Sequence, residues 1–239
     1  KNIRVLTYNV WYGFTKKPDR KKEWIKYIRS LKSDIIALQE LNNYTEEGLA
    51  KDAKSWGHPH TALLKEDGFP TGITSKYPIE DLKKTTNGYH HGMLSCKIAG
   101  LQIYNIHLHP GHWEIRHREV DLLIKTLKKH KPNEPILLVG DFNTFSKHDE
   151  KYYDQTPDII PFFRRLDQRW KSNRNLRDDQ LDYTHLNKFE NAGYIDLIAE
   201  RRAKFMGTFP TKLRLDEDNG PDRRLDYFFA NIRTLDYQI

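Results

Sequence analysis

Pro135–Asn143 reads Pro-Ile-Leu-Leu-Val-Gly-Asp-Phe-Asn, so a carboxylate and a carboxamide follow an apolar run on alternate positions. The run Ile136–Val139, bounded by Pro135 and Gly140, has the pattern of a strand buried on both faces. Alternation sets Asp141 and Asn143 on one face of its C-terminal end, where layered α/β proteins bind ligands. There they could orient a water and hold a phosphate oxygen, although Gly, Asp and Asn are equally the residues of an ordinary turn. Asn9 and Glu40 close two other apolar runs. An amide oxygen beside a carboxylate is a hard-oxygen pair suited to Mg²⁺ or Mn²⁺, while each residue alone also reads as a loop residue. Leu101–Leu108 alternates and carries His107 near its end, with Asn105 on the same face. His107, His109 and His112 within six positions raise zinc, but the acidic and amide groups elsewhere favour a phosphate-binding His107 and leave His109 and His112 as loop residues. Asn105 and Arg116 are candidate substrate contacts. Asp226 lies inside the aromatic stretch Arg223–Phe229.

These groups need strands to carry them. Ile3–Val10 and Ile35–Leu38 read as buried strands, and Arg20–Lys32 places Trp24, Ile25, Ile28 and Leu31 on one helical face. Strand, helix and strand in this order imply a parallel unit with a right-handed crossover, bringing Asn9 and Glu40 out at one sheet edge. Thr45–Trp56 reads as a helix stopped by Gly57. His60–Leu64, Gly72–Ser75 and Gly92–Ile98 read as strands, and His58, His60, His90 and His91 as surface histidines. Trp113–Lys129 is a helix with Val120, Leu123, Ile124 and Leu127 inward and Arg116 in its first turn. Ser146–Arg177 reads as an irregular, polar and aromatic insertion. Its arginines (Arg164, Arg165, Arg169, Arg174 and Arg177) are interleaved with acids, as on a solvated face. Asp182–Ala192 looks helical, Gly193–Leu197 strand-like, with Asp196 as a buried acceptor.

The 239 residues are 31% charged and 12% aromatic, which suits a soluble globular chain with ample length for a core. A formal charge of +7 favours anionic partners such as phosphate esters, nucleic acid or acidic phospholipid headgroups. Cys96 is the one cysteine, which excludes a disulfide framework and a thiolate metal cluster. No apolar stretch approaches a membrane span. With no repeat, low-complexity tract or linker, residues 1–239 read as one domain and a monomer. Any signal peptide is already removed or never existed, which suits a soluble protein or the mature form of an exported one.

Taken in order, Tyr8-Asn9-Val10, Leu38-Gln39-Glu40, Asn105-Ile106-His107-Leu108, Gly140-Asp141-Phe142-Asn143 and Arg224-Leu225-Asp226-Tyr227 resemble the motifs of the endonuclease/exonuclease/phosphatase superfamily. Gly72–Ile79 and Gly193–Asp196 resemble its lesser signatures. The resemblance implies a four-layered α/β sandwich, two mixed sheets packed face to face with helices outside. It implies divalent-metal-dependent hydrolysis of a phosphate ester. In that pattern Glu40, helped by Asn9, places Mg²⁺ or Mn²⁺, Asp141 orients or deprotonates water, and Asn143 and His107 hold phosphoryl oxygens. The family pattern closes with a Ser-Asp-His motif whose histidine is braced by the residue matching Asp226. No histidine follows His185 here, so the expectation is a domain cut short of its last strand and its Asp-His pair. Two other readings are an endonuclease acting on DNA or RNA and a catalytically weak polyanion-binding module. A third is a structural domain whose polar strand ends are only turns.

Overall fold

In the computed structural model, which describes residues 2–211 and 219–232, the chain falls into two units. Unit 1 comprises Lys1–His107 and Asn133–Asp141; unit 2 comprises Leu108–Pro132 and Phe142–Ile239. In unit 1, β1 (Val5–Asn9) and β2 (Ile35–Gln39) run parallel, as the crossover through α1 (Arg20–Leu31) requires, and Asn9 is paired with Gln39. Alternation sorts their side chains. Ile36 and Leu38 join Trp24 and Ile28 of α1 and Leu49 and Ala53 of α2 (Glu46–Ser55) in one apolar cluster, with the Trp24 and Trp56 rings edge to face at 5.4 Å. Thr45 caps α2 by accepting from the Gly48 N–H at 3.0 Å. β3 (His60–Leu63) and β4 (Gly72–Ser75) complete the first sheet in the order β1-β2-β4-β3.

The second sheet has six described strands. Four belong to unit 1: β5 (Glu80–Thr85), β6 (Met93–Ile98), β7 (Leu101–His107) and β8 (Ile136–Asp141), in that order. β7 and β8 are parallel, with His107 opposite Asp141. Gly140 has φ +138°, and a Cβ there would sit 2.0 Å from the Ile106 carbonyl oxygen, so only glycine lets β8 close on β7 before Asp141. β5 is almost wholly exposed, and its register against β6 shifts between Glu80 and Lys83. Within unit 1, β1, β2 and β4 pack across from β6, β7 and β8. Asn105 of β7 pins that packing: its amide donates to the Leu38 carbonyl (3.0 Å) and the Gly72 carbonyl (2.8 Å) and accepts from Gln39 Nε2 (2.8 Å).

Unit 2 holds α3 (Trp113–Leu127), a 3₁₀ turn (Lys147–Asp149), α4 (Glu150–Asp154), α5 (Ile159–Arg169), α6 (Thr184–Asn191), β9 (Ile195–Asp196), α7 (Leu197–Arg201) and β10 (Asp226–Ala230). β9 and β10 pair antiparallel. The segment expected to be irregular contains α4 and α5. Ile159, Phe162, Phe163 and Leu166 recur at helical spacing and pack with Phe145 and Tyr153, a period that the surrounding arginines conceal. Arg224, fully buried, donates through Nη1 and Nη2 to Asp196 (2.8 and 2.7 Å) and through Nε to Asp149 (2.9 Å). Asp196 is thus the buried acceptor the sequence suggests. Two mixed sheets facing each other with seven described α-helices make the α/β sandwich expected. The tail after Ile232, at whose end the sequence is read as cut short, lies outside the described residues.

Asn105→Ala takes the amide donor from two buried carbonyls, while Gln39 Nε2 keeps Thr7 Oγ1 (3.1 Å) as a partner. At about 1–3 kcal/mol for each of the two carbonyls, the loss is roughly 2–6 kcal/mol. Urea unfolding monitored by circular dichroism is expected to show it as a lower midpoint, and an unchanged midpoint would contradict the role given to this amide.

Candidate active site

Asn9 Nδ2 donates to Glu40 Oε1 at 3.0 Å and to Asp141 Oδ2 at 3.1 Å, so one amide joins two carboxylates from separate strand ends. Its oxygen is turned away, accepting from the Trp11 N–H at 3.0 Å, while Glu40 Oε2 accepts from the Tyr12 N–H at 3.0 Å. The backbone is tightly wound here. Glu40, Trp11, Tyr12 and Phe14 have φ of +57°, +50°, +55° and +66°, each in the left-handed region that side chains avoid. The turn is held by Gly13 N–H donating to the Glu40 carbonyl and Phe14 N–H to the Val10 carbonyl. A Cβ on Gly13 would lie 2.2 Å from the Asn42 carbonyl oxygen. The amide orientation differs from the expectation that Asn9 shares an ion with Glu40: Asn9 donates, and it positions the two acids. Glu40, only partly buried, and Asp141, 7% exposed, are the oxygens that two like charges so close would offer to a cation. Hard carboxylate donors fit Mg²⁺ or Mn²⁺.

His107 Nε2 stands 3.9 Å from Asp141 Oδ2. Burial, and then the charge of His90, pull its pKa from 6.5 to about 3, partly opposed by a backbone hydrogen bond to Phe69. The ring is therefore neutral and can offer one N–H, not a charge, to an anion. The His91 ring stacks on it at 4.0 Å with 17° between planes, and Phe69 tilts against His91 at 5.4 Å. This corrects the reading of His91 as a surface residue, since it is only 5% exposed. His58 is corrected likewise: it is buried between Thr74 Oγ1 (2.8 Å) and the Ser33 carbonyl (2.9 Å). Gly92, with φ +91° and room for no Cβ beside Leu64, is the one local sign that the turn after His91 is tightly packed.

The other candidates divide differently. Asn105 is 0% exposed with its amide engaged by protein on both sides, so a substrate contact does not fit it. Arg116, in unit 2 and 1% exposed, donates through Nη1 to the His109 carbonyl at 3.1 Å, while Glu119 accepts from the His109 N–H at 2.8 Å. It braces the loop before α3, which corrects its assignment as a substrate contact. Asn143, also in unit 2, has φ +48° and donates to the Leu108 carbonyl at 3.0 Å. It lines a unit 2 cleft with Gly111, Phe163, Asn173, Asn175 and Arg223. Asp226 opens β10. Thr208 Oγ1 accepts from its N–H at 3.2 Å, and burial raises its carboxyl to about 6. Of the candidates, unit 1 brings together Asn9, Glu40, His107 and Asp141.

The model of the Endonuclease/Exonuclease/phosphatase family matches residues 6–236. The uncharacterized protein YbhP of Escherichia coli K12 is 27% identical over 169 residues, covering 59% of this chain and 67% of YbhP. Among solved structures, an AP endonuclease from Archaeoglobus fulgidus superposes with TM-score 0.65 at 16% identity, over 96% of this chain and 87% of its own. The 3′ phosphatase NExo from Neisseria, bound to a product DNA hairpin, gives 0.65 at 12%, over 96% and 86%. The D. rerio TDP2 complex with a single-strand DNA product gives 0.63 at 15%, over 99% and 86%. At these identities the structures share the fold.

Three buried histidines set the response to acid. Burial lowers His58, and lowers His107 to about 3 and His185 to about 4, against 6.5 when unfolded. Below pH 6.5 the unfolded chain binds protons that the folded one refuses, so their contribution is whole above 6.5 and lost as pH falls. Asp226, raised from 3.8 to about 6, works in the opposite sense over that window, as does Asp222, which burial also raises, while His90 and His112, lowered by burial, add to the histidine side. Calorimetry is expected to show Tm falling steadily below pH 6.5; a flat or rising profile towards pH 4 would contradict this.

Proposed function

The chain belongs to the endonuclease/exonuclease/phosphatase family, and from that premise we propose that it hydrolyses a phosphate ester with Mg²⁺ or Mn²⁺ held at Glu40. The observation that carries the reading is the Asn9 amide between the Glu40 and Asp141 carboxylates. When bound, the ion supplies Lewis-acid charge at a non-bridging phosphoryl oxygen. Asp141, oriented by Asn9, accepts a proton from the attacking water. The water oxygen bonds to phosphorus as the ester P–O bond breaks, and the departing oxygen takes a proton from solvent. His107, neutral, gives its N–H to a phosphoryl oxygen. The strained turn from Asn9 to Phe14 fixes the direction of the Glu40 carboxylate before substrate arrives.

A nucleic-acid ester is the first substrate to test. The formal charge of +7 favours polyanions, and two structural neighbours carry DNA products in their complexes. Hydrolysis of DNA, RNA, sphingomyelin, inositol phosphates and a chromogenic diester, each with Mg²⁺ and with chelator, is the deciding assay. Metal-dependent turnover of at least one is expected, with kcat lowered by roughly 10²–10⁴ in Glu40→Ala and Asp141→Ala. Wild-type rates in either variant would refute the assignment. Salt-sensitive binding with no turnover would replace the enzyme by a polyanion-binding module.

A further inference from the structure

Unit 2 contains a second cluster of ligand-type side chains. His117 lies on α3, Asp182 just ahead of α6, and His185 in the first turn of α6. One nitrogen from each histidine and one carboxylate oxygen lie within 4.8 Å of one another. His117 Nε2 is 3.0 Å from Asp182 Oδ2, and His185 Nδ1 is 3.8 Å from the same oxygen. Ligands about 2.0–2.1 Å from a tetrahedral ion stand roughly 3.4 Å apart, a value these two distances bracket. We propose that His117, Asp182 and His185 bind a transition dication of the Zn²⁺ type, joining α3 to α6.

The surroundings orient the three groups inward. His185 Nε2 meets the Trp113 carbonyl at 2.9 Å; a carbonyl only accepts, so Nε2 carries the hydrogen and Nδ1 presents its lone pair to the cluster. Such an outer hydrogen bond from ring nitrogen to backbone carbonyl fixes ligand histidines in metal sites. Asp182 Oδ1 is held by the Thr184 N–H (2.8 Å) and hydroxyl (2.5 Å), which leaves Oδ2 directed at both imidazoles. Thr144 Oγ1 lies 3.1 Å from His185 Nδ1 and Thr184 Oγ1 2.9 Å from His117 Nε2, so a fourth oxygen is at hand. Asp182 and His185 are 4% and 0% exposed. His117 is less buried, its side chain 18% exposed, and its ring lies 4.1 Å from that of His185. Arg177 Nη1 stands 3.7 Å from Asp182 Oδ2, but its side chain is 43% exposed and rests over the Trp113 ring, so an incoming ion can displace it outward. Two imidazoles with one carboxylate favour Zn²⁺ over Mg²⁺, the reverse of the oxygen set at Glu40.

Chelator-treated protein is titrated with Zn²⁺ in excess Mg²⁺, using wild type, His117→Ala and Glu40→Ala. Wild type and Glu40→Ala are expected to bind one equivalent that His117→Ala does not, and Tm to rise with Zn²⁺ only in the first two. Equal stoichiometry in wild type and His117→Ala overturns the proposal, as does the absence of Zn²⁺ binding by wild type. If His117→Ala does not fold, wild type loaded with Co²⁺ decides: intense visible absorption from a four-coordinate ion is expected, and only the weak bands of a six-coordinate ion overturn it. Because Glu40→Ala separates the two places, the outcome is independent of whether the ester hydrolysis proposed above is right.

Discussion

One buried amide governs how the strand ends of unit 1 are presented. Asn105 hydrogen-bonds to β2 and β4 from β7, with Gln39 completing its set, so directional polar contacts join the two facing sheets at one buried point. Apolar burial is non-directional, whereas three hydrogen bonds at one point fix both direction and distance. Because β7 and β8 are in parallel register with His107 opposite Asp141, the position of Asn105 relative to β2 carries through to Asp141. Asn9 and Glu40 leave from β1 and β2, the other side of the same packing. The 3.1 Å contact from Asn9 to Asp141 is therefore a readout of how β7 is pinned, two residues upstream of His107.

Around that anchor, the chain stores strain where groups are to be aimed. Non-glycine residues with positive φ crowd the turn after β1 and the residue after β2, at about 1–3 kcal/mol each. The hydrogen bonds among Asn9, Trp11, Tyr12, Gly13 and Glu40 offset that strain locally. A carboxylate on such backbone has few other directions open to it. The same logic, in ionic form, appears in unit 2, where buried Arg224 faces Asp149 and Asp196; breaking one partner would leave an uncompensated charge.

Strand ends were legible in the sequence because a strand buried on both faces is an apolar run, and the polar residue that breaks the run marks where it surfaces. Asp141, Glu40 and Asn9 stand out on that account. What residue type does not reveal is exposure. Asn105 and Arg116 look like contacts for an anion, yet both are enclosed, because amides and guanidiniums serve equally to satisfy backbone carbonyls inside a protein. His91 and His58 follow the same rule: their burial is decided by rings and carbonyls distant in sequence. The direction of the Asn9 amide depends on the Trp11 N–H, a consequence of left-handed backbone that no pattern announces. α5 escaped because its apolar period runs through a stretch dense in arginine.

β5 escaped for the opposite reason: Glu80–Thr85 has neither apolar alternation nor a buried face. That poverty has a colloidal consequence. β5 ends the order of its sheet, so its outer backbone groups are a template on which another chain could add a strand. Glu80, Asp81, Lys83 and Lys84 ring that edge with charges of both signs, Asp81 takes φ +50°, and the register slips between Glu80 and Lys83. A second copy approaching edge to edge would have to desolvate those charges and match a kinked ladder. The segment least informative about chemistry thus guards the protein in crowded solution against growing into fibres.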